Sequence, residues 1–354
     1  MQKWYEKNNV DLGVIISSRV RLARNLANVP FPSRMSATQA NHVVNEVKTK
    51  VFCEENLHKV ADDGLLFLNL AHINEHEKNV LAERHVISPA MLDARNHSCG
   101  LIHNHEENLS IMINEEDHMR IQSIFVGNDL DAAYEAASRL DDTLSEDLDF
   151  AFDNKFGYLT SCPTNTGTGL RASYMLHLPL LEYTDQLKPL ADVITKTGFV
   201  IRGANGEGTE PLGSIYQVSN QVTLGKTEGE IINSLKQLAN QIVEKEKALQ
   251  NGVRKNMSGE ASDRVWRAYG LLSYCRRVSL NEARNLLSDM RSGLNMDVGP
   301  MSPKQANPLE LKATIYEIMT NIQPHNLQRI MGIAQDLRHL ETLRADYLRG
   351  IFAR

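Results

Sequence analysis

Polar and apolar residues alternate along residues 13–23, with Val14, Ile16 and Ser18 on one face and Ile15, Ser17, Arg19 and Arg21 on the other. A period of two is that of a strand. Residues 36–50 carry the longer period of an amphipathic helix, 63–70 form a short apolar strand or helix, and 74–84 form a polar helix. Residues 100–105 and 108–114 pair as a hairpin. Ile111 and Ile113 take its core face; Ser110, Met112, Asn114 and Glu116 share the other, with Arg120 at the same parity. A helix follows over 129–148, buried along Ala132, Ala133, Ala136, Ala137, Leu140 and Leu144. Residues 157–178 read as strand, loop and strand, 187–197 as a helix, 198–202 as a short strand, and 214–224 as another alternating strand.

From Glu228 the period lengthens: Ile231, Leu235, Leu238 and Ile242 fall at helical steps in a helix over 228–249. Asn251, Gly252, Asn256, Ser258 and Gly259 mark a boundary over 250–260. Everything beyond is helical: 263–277, a helix opened by the capping box Ser279-Leu280-Asn281-Glu282, then 309–322 and 324–350, with Pro300, Pro303, Pro308 and Pro324 as punctuation. The expected fold class is α+β, with an antiparallel sheet flanked by helices over residues 1–250 and a smaller all-helical domain over 255–354.

The chain has 354 residues, 42% hydrophobic and 23% charged, with 38 basic against 44 acidic residues and a net charge of -6. That balance argues against nucleic acid or a membrane surface as the main partner. No apolar run approaches membrane-spanning length and the N-terminus carries no signal pattern. Cys53, Cys99, Cys162 and Cys275 are scattered without metal or disulfide spacing, which suits a reducing cytoplasmic compartment.

The chemistry gathers in four stretches. In Cys162-Pro163-Thr164-Asn165-Thr166-Gly167-Thr168-Gly169-Leu170-Arg171 a thiol enters a rigid irregular turn, and an arginine leaves it. Arg19 and Arg21, with Arg24 just beyond, aim guanidinium forks that suit phosphate oxygens, although alone the segment reads as a solvated edge strand. Glu115, Glu116, Asp117 and His118 sit at or just past a strand end with Arg120 after them; three adjacent acids usually form a solvated turn. The Gly-rich run from Arg202 to Gly213 carries Glu207 and Glu210 on a loop between two strands. His97, His103, His105 and His118 have no further ligand at a recognised metal spacing. A Walker lysine loop and a protein-kinase catalytic loop are both absent.

In this order and spacing the four stretches resemble the ATP:guanidino phosphotransferases, the phosphagen kinases that include creatine and arginine kinases. Cys-Pro-Thr-Asn-x-Gly-Thr-Gly-Leu-Arg-Ala-Ser from Cys162 is highly specific to that family, and the match covers roughly residues 12–250. The resemblance implies a phosphagen-kinase-like catalytic domain that uses ATP with magnesium carried on the nucleotide phosphates and no protein metal ligand. It places Arg19, Arg21, Arg120 and Arg171 at the ATP phosphates and His85 at the adenine. Guanidinium, with a pKa of about 12.5–13.8, needs a carboxylate to orient it and take its proton. Glu116 is the expected base, Glu210 the second clamp and Cys162 a third negative contact.

Within the family the chain resembles the bacterial protein-arginine kinases. The first arginine motif begins at Ser17, without the helical domain that precedes it in kinases of free amino acids, and a C-terminal helical domain is added. That resemblance implies protein substrates with exposed arginines, marked for the ClpC–ClpP protease, together with the ClpC unfoldase, the activator McsA, the stress-response repressor CtsR and a homodimer. Thr166 stands where the family usually has Leu or Ile, and Asn205 where small-substrate kinases have a phosphate-binding Arg. A phosphoarginine-binding motif, Arg-Asp-x-x-Arg-Ala, appears here as Leu340-Glu341-x-x-Arg344-Ala345, leaving Arg344 and Asp346 as its expected residues against a reading as solvated helix residues. The competing functions are a kinase of free arginine and a non-catalytic protease adaptor.

Overall fold

The alternation around Arg19 forms strand β1 (Ile15–Arg24), which lies inside an eight-stranded sheet. The structure is a computed structural model that describes residues 2–7, 13–56, 64–92, 98–203, 212–300, 314–333 and 339–353. The other strands are β2 (Leu65–Asn69), β3 (Gly100–Asn104), β4 (Leu109–Ile113), β5 (Met119–Val126), β8 (Leu170–His177), β9 (Phe199–Gly203) and β10 (Ile215–Asn220). A separate two-stranded ribbon pairs β6 (Phe152–Asp153) with β7 (Gly157–Tyr158). The sheet runs β2-β3-β4-β5-β1-β8-β10-β9 and is antiparallel.

The sheet departs from expectation at β5. The predicted strand face carrying Asn114, Glu116 and Arg120 does not continue, because Asn114 turns left-handed at φ 60°. Its buried amide donates to the carbonyls of Ala40 (2.9 Å) and Ser98 (2.8 Å), which fixes the turn. The Asn114 N–H donates to the carbonyl of His118 across 3.0 Å and closes it. The chain then returns as β5, with Arg120 opposite Met112 on β4 and opposite Ala23 on β1. Asparagine tolerates this conformation better than a branched residue.

Helices pack on this frame. The helix Ala37–Val51 opens with a capping box between Ser36 and Gln39 and buries Ala40, Val43, Val44, Val47 and Val51. The helix Leu130–Ser145 buries Leu130, Ala133, Ala137, Leu140 and Leu144. Each such buried valine or leucine side chain contributes about 1.5–3 kcal/mol when fully removed from water.

Cα packing divides the chain into two compact units. The first comprises Met1–Trp4, Ser17–Tyr174 and Ser219–Lys236; the second comprises Tyr5–Ile16, Met175–Val218 and Gln237–Arg354. Helices Ser258–Tyr274, Leu280–Met296, Ile315–Asn321, Pro324–Met331 and Leu340–Phe352 belong to the second, with Leu272, Leu287, Met290, Ile318, Leu327, Leu348 and Phe352 buried. The boundary expected over 250–260 is largely helical: one helix runs Glu228–Asn256, and the next begins at Ser258. Gly252 faces open space, so it weakens that helix by only about 1 kcal/mol without breaking it. The expected helix 324–350 is two helices, Pro324–Met331 and Leu340–Phe352, the first ended by Gly332 in the left-handed region at φ 66°.

Candidate active site

Arg19 and Arg21 share one face of β1, where Arg21 sits opposite Gln122 and Arg19 opposite Ile124 of β5. Gln122 donates to the carbonyl of His85 across 2.7 Å, which ties His85 to the same strand pair. His85 follows the helix Glu75–Glu83 in a left-handed turn at φ 63°, its ring 6.5 Å from that of Trp4. Arg24, three residues beyond Arg21 at the end of β1, has the opposite parity and faces the other way. It is buried, its Nη2 lies 2.6 Å from Asp141 Oδ2, and its guanidinium stacks 3.5 Å over the Tyr158 ring. Of the three β1 arginines only Arg19 and Arg21 serve the candidate site; Arg24 holds the fold.

Arg19, Arg21, Arg120 and Arg171 converge. Burial lowers the proton affinity of Arg21 well below the ordinary arginine value, and the neighbouring Arg19, Arg120 and Arg171 charges lower it further, while Glu115 opposes them. Arg21 Nε is shut off from solvent and makes no hydrogen bond. Like charges crowded this way are relieved by an anion, and guanidinium forks match phosphate oxygens with two parallel bonds.

Two carboxylates of the turn 114–118 face this cluster. Arg120 Nη1 lies 2.7 Å from Oε1 and 2.6 Å from Oε2 of Glu115. Its Nη2 donates to Glu116 Oε2 across 2.9 Å. Glu115 is 4% exposed at the side chain, Glu116 42%, so Glu116 is the one a substrate can reach. Burial raises the Glu116 carboxyl above the ordinary range, helped by Asp117 and Glu115 and opposed by Arg120 and Arg171.

The thiol loop is docked onto the same turn. Asp117 is fully buried, and its Oδ1 accepts from the Asn25 amide (2.7 Å) and from the Ser161 N–H (2.7 Å). His118 is also buried, its Nδ1 accepting from the Leu26 N–H across 3.0 Å. The four residues Glu115–His118 are thus no solvated acidic turn: two face the arginines and two anchor the turn. Beyond Ser161, Cys162 Sγ lies 3.0 Å from Thr164 Oγ1. The Thr223 hydroxyl lies 3.0 Å from the carbonyl of Thr164 and 2.7 Å from that of Thr166. At Gly169, φ 67°, an added Cβ would lie 2.6 Å from both the Ala23 carbonyl and Arg24 Nη1, so only glycine lets the loop rejoin the sheet as β8.

Glu116, Cys162, Arg19, Arg21, His85, Arg120 and Arg171 therefore all lie in the first unit. Glu210, Glu207 and Asn205 lie outside the described residues, as do His97, Pro303 and Pro308. Among the described residues, no group of three or more His, Cys, Asp or Glu side chains is placed to hold a metal ion. Arg344 is not the solvated helix residue of the alternative reading: it is buried and donates to the carbonyls of Ile322 (3.1 Å) and Val278 (3.0 Å), joining helical segments of the second unit. Asp346 pairs with Arg349 one turn along. Sequence reasoning missed Glu115 and Asp117 as separate roles; the only signal was that Asn114, able to turn left-handed, precedes them.

Solved structures share this fold. That of a lombricine kinase aligns over 71% of this chain and 70% of its own, at a TM-score of 0.59 and 24% identity. A duplicated taurocyamine kinase from Schistosoma mansoni, with bound transition-state-analogue components, aligns over 75% of this chain and 40% of its own, at a TM-score of 0.59 and 24% identity. Residues 43–249 match the ATP:guanido phosphotransferase C-terminal catalytic domain, and the chain belongs to that family. Within it the chain falls with the protein-arginine kinases: residues 259–354 match the C-terminal domain of protein-arginine kinase McsB. The protein-arginine kinase of Halothermothrix orenii is 41% identical over 94% of this chain and 91% of its own length. That of Bacillus subtilis is 39% identical over 99% and 93%.

Proposed function

We propose that this chain transfers the γ-phosphoryl group of ATP to arginine side chains of proteins. One observation carries the reading: Arg19, Arg120 and Arg171 crowd the buried Arg21, and Arg120 pairs with an accessible carboxylate whose proton affinity is raised. Arg19, Arg21, Arg120 and Arg171 hold the phosphates, His85 meets the adenine, and magnesium arrives bound to the nucleotide oxygens. The forks are already in place as charge shifts toward the leaving ADP, which needs no reorganisation at the moment of transfer. Glu116 grips the acceptor guanidinium and takes a proton from its nitrogen as the N–P bond forms and the bond to the ADP oxygen breaks. Cys162 adds a contact from one side, and Glu210 is the second carboxylate clamp.

Replacing Glu116 by Gln tests this. Phosphoarginine formation falls by about a hundred- to ten-thousand-fold, the usual contribution of a general base, while MgADP still binds. Near-normal transfer in that variant refutes the assignment.

The relatives and the resemblance support a wider setting. Residues 1–250 form the catalytic domain and 255–354 a helical domain that meets protein substrates and a second copy of the chain, in keeping with the two family matches. The products are marks read by the ClpC–ClpP protease, CtsR is among the substrates, and McsA raises activity, all within the cytoplasm. Binding of purified ClpC, McsA and CtsR to the chain, each measured by itself, checks those partners.

A further inference from the structure

We infer that Glu115 is a positioning residue that keeps Arg120 in the site while the other arm of Arg120 moves between Glu116 and the nucleotide phosphates. The catalytic base is thereby held closed until either nucleotide or the acceptor arginine opens that contact. This rests on the proposed kinase reading and deepens it.

Arg120 is divided. One arm, Nη1, is held by both oxygens of Glu115. Glu115 is itself fixed from two further directions, by the Ser88 hydroxyl on Oε1 and by the Glu116 N–H, 3.2 Å from Oε2. The other arm, Nη2, lies 2.9 Å from Glu116 Oε2, on the carboxylate that must be free to take a guanidinium. An acceptor arginine and Arg120 Nη2 compete for that oxygen. Phosphates and Glu116 likewise compete for Nη2. Whichever ligand binds first opens the contact, and the second finds it open; by linkage each favours the other to the same degree. The rigid Glu115 arm lets Arg120 change partner without leaving the cluster. The Arg120–Glu116 pair is part-exposed, so opening it is a small barrier that biases the order of binding without preventing it.

Neighbouring carboxylates then have opposite effects on nucleotide binding. MgADP affinity is measured calorimetrically for the wild type, Glu116→Gln, Glu115→Gln and Ser88→Ala. Glu116→Gln frees Nη2 and binds MgADP about two- to five-fold more tightly, the range of an exposed ion pair. Glu115→Gln, which removes an equal charge, binds it more weakly, because Arg120 loses its anchor. Ser88→Ala shifts in the same direction as Glu115→Gln but less, and serves where the latter does not fold. Equal tightening in both glutamate variants would mean simple loss of negative charge and would overturn the inference. So would unchanged affinity in Glu116→Gln, even where that variant has lost phosphoryl transfer as the kinase reading requires. Wild-type chain that neither binds MgADP nor forms phosphoarginine counts against the kinase reading itself.

Discussion

Burial raises the Glu116 carboxyl, and the Arg120 charge holds it down against the push of Asp117 and Glu115. A base must be ionised to act, so activity is lost as pH falls through that raised value. The acid limb of the kcat/KM profile is expected above the ordinary glutamate pKa of about 4.3. A pH–rate series on a protein substrate checks this, and a limb at or below the ordinary value would remove Glu116 from the role. Arg171 enters the same balance from β8, within reach of both Arg21 and Glu116. Arg171→Ala is expected to weaken ADP binding about ten- to a hundred-fold, the worth of a charged hydrogen bond, and unchanged affinity refutes its phosphate role. At this scale the sequence was readable where parity alone decides: alternation along β1 put Arg19 and Arg21 on one face. It was unreadable where a partner far along the chain decides. Arg24 looks like a third phosphate ligand until Asp141 and Tyr158 claim it. Glu115 and Glu116 are the same residue type side by side, and only burial tells anchor from base.

The elements that matter most are the turn 114–118 and the loop 162–169. Asn114 at φ 60° creates the turn, and that turn, not strand parity, carries the two glutamates to Arg120. The alternation of Met119, Ile121 and Ser123 against Arg120 and Gln122 is present in β5, but the preceding acids masked the strand. The loop was legible in its glycines, since Pro163, Gly167 and Gly169 announce an irregular turn, while its docking through Ser161 to Asp117 was not. Gly169→Ala puts a side chain in the left-handed region, at about 1–2 kcal/mol, and against the Ala23 carbonyl, at about 1–3 kcal/mol more. Denaturant unfolding should show a loss of about 2–5 kcal/mol, with transfer falling beyond what the unfolded fraction explains. Wild-type stability in that variant would mean that the loop does not need glycine there.

For the molecule as a whole, periodicity located most elements and the change from strand to helix at Glu228, but not where the helices stop. An exposed Gly252 breaks nothing, so the helix runs on to Asn256. Whole-molecule stability carries one pH signature. Burial pushes the Glu317 carboxyl up to about 7, with Glu6 adding to the push and the Thr314 N–H opposing it. The folded chain then binds a proton that the unfolded chain releases near about 4.3, so this stabilising contribution is present at low pH and fades as pH rises toward 7. Glu317→Gln, permanently neutral, is expected to raise Tm at pH 8 and leave it nearly unchanged at pH 5. The same shift at both values would contradict the linkage.

The central claim is that arginine on proteins is the acceptor. The most direct measurement is mass spectrometry at neutral or basic pH, because the P–N bond is acid-labile, after incubating the chain with MgATP and either an arginine-rich protein or free L-arginine. The account predicts phosphoarginine on the protein and none on the free amino acid. Product on free arginine alone would contradict it and place the chain with kinases of small guanidino compounds.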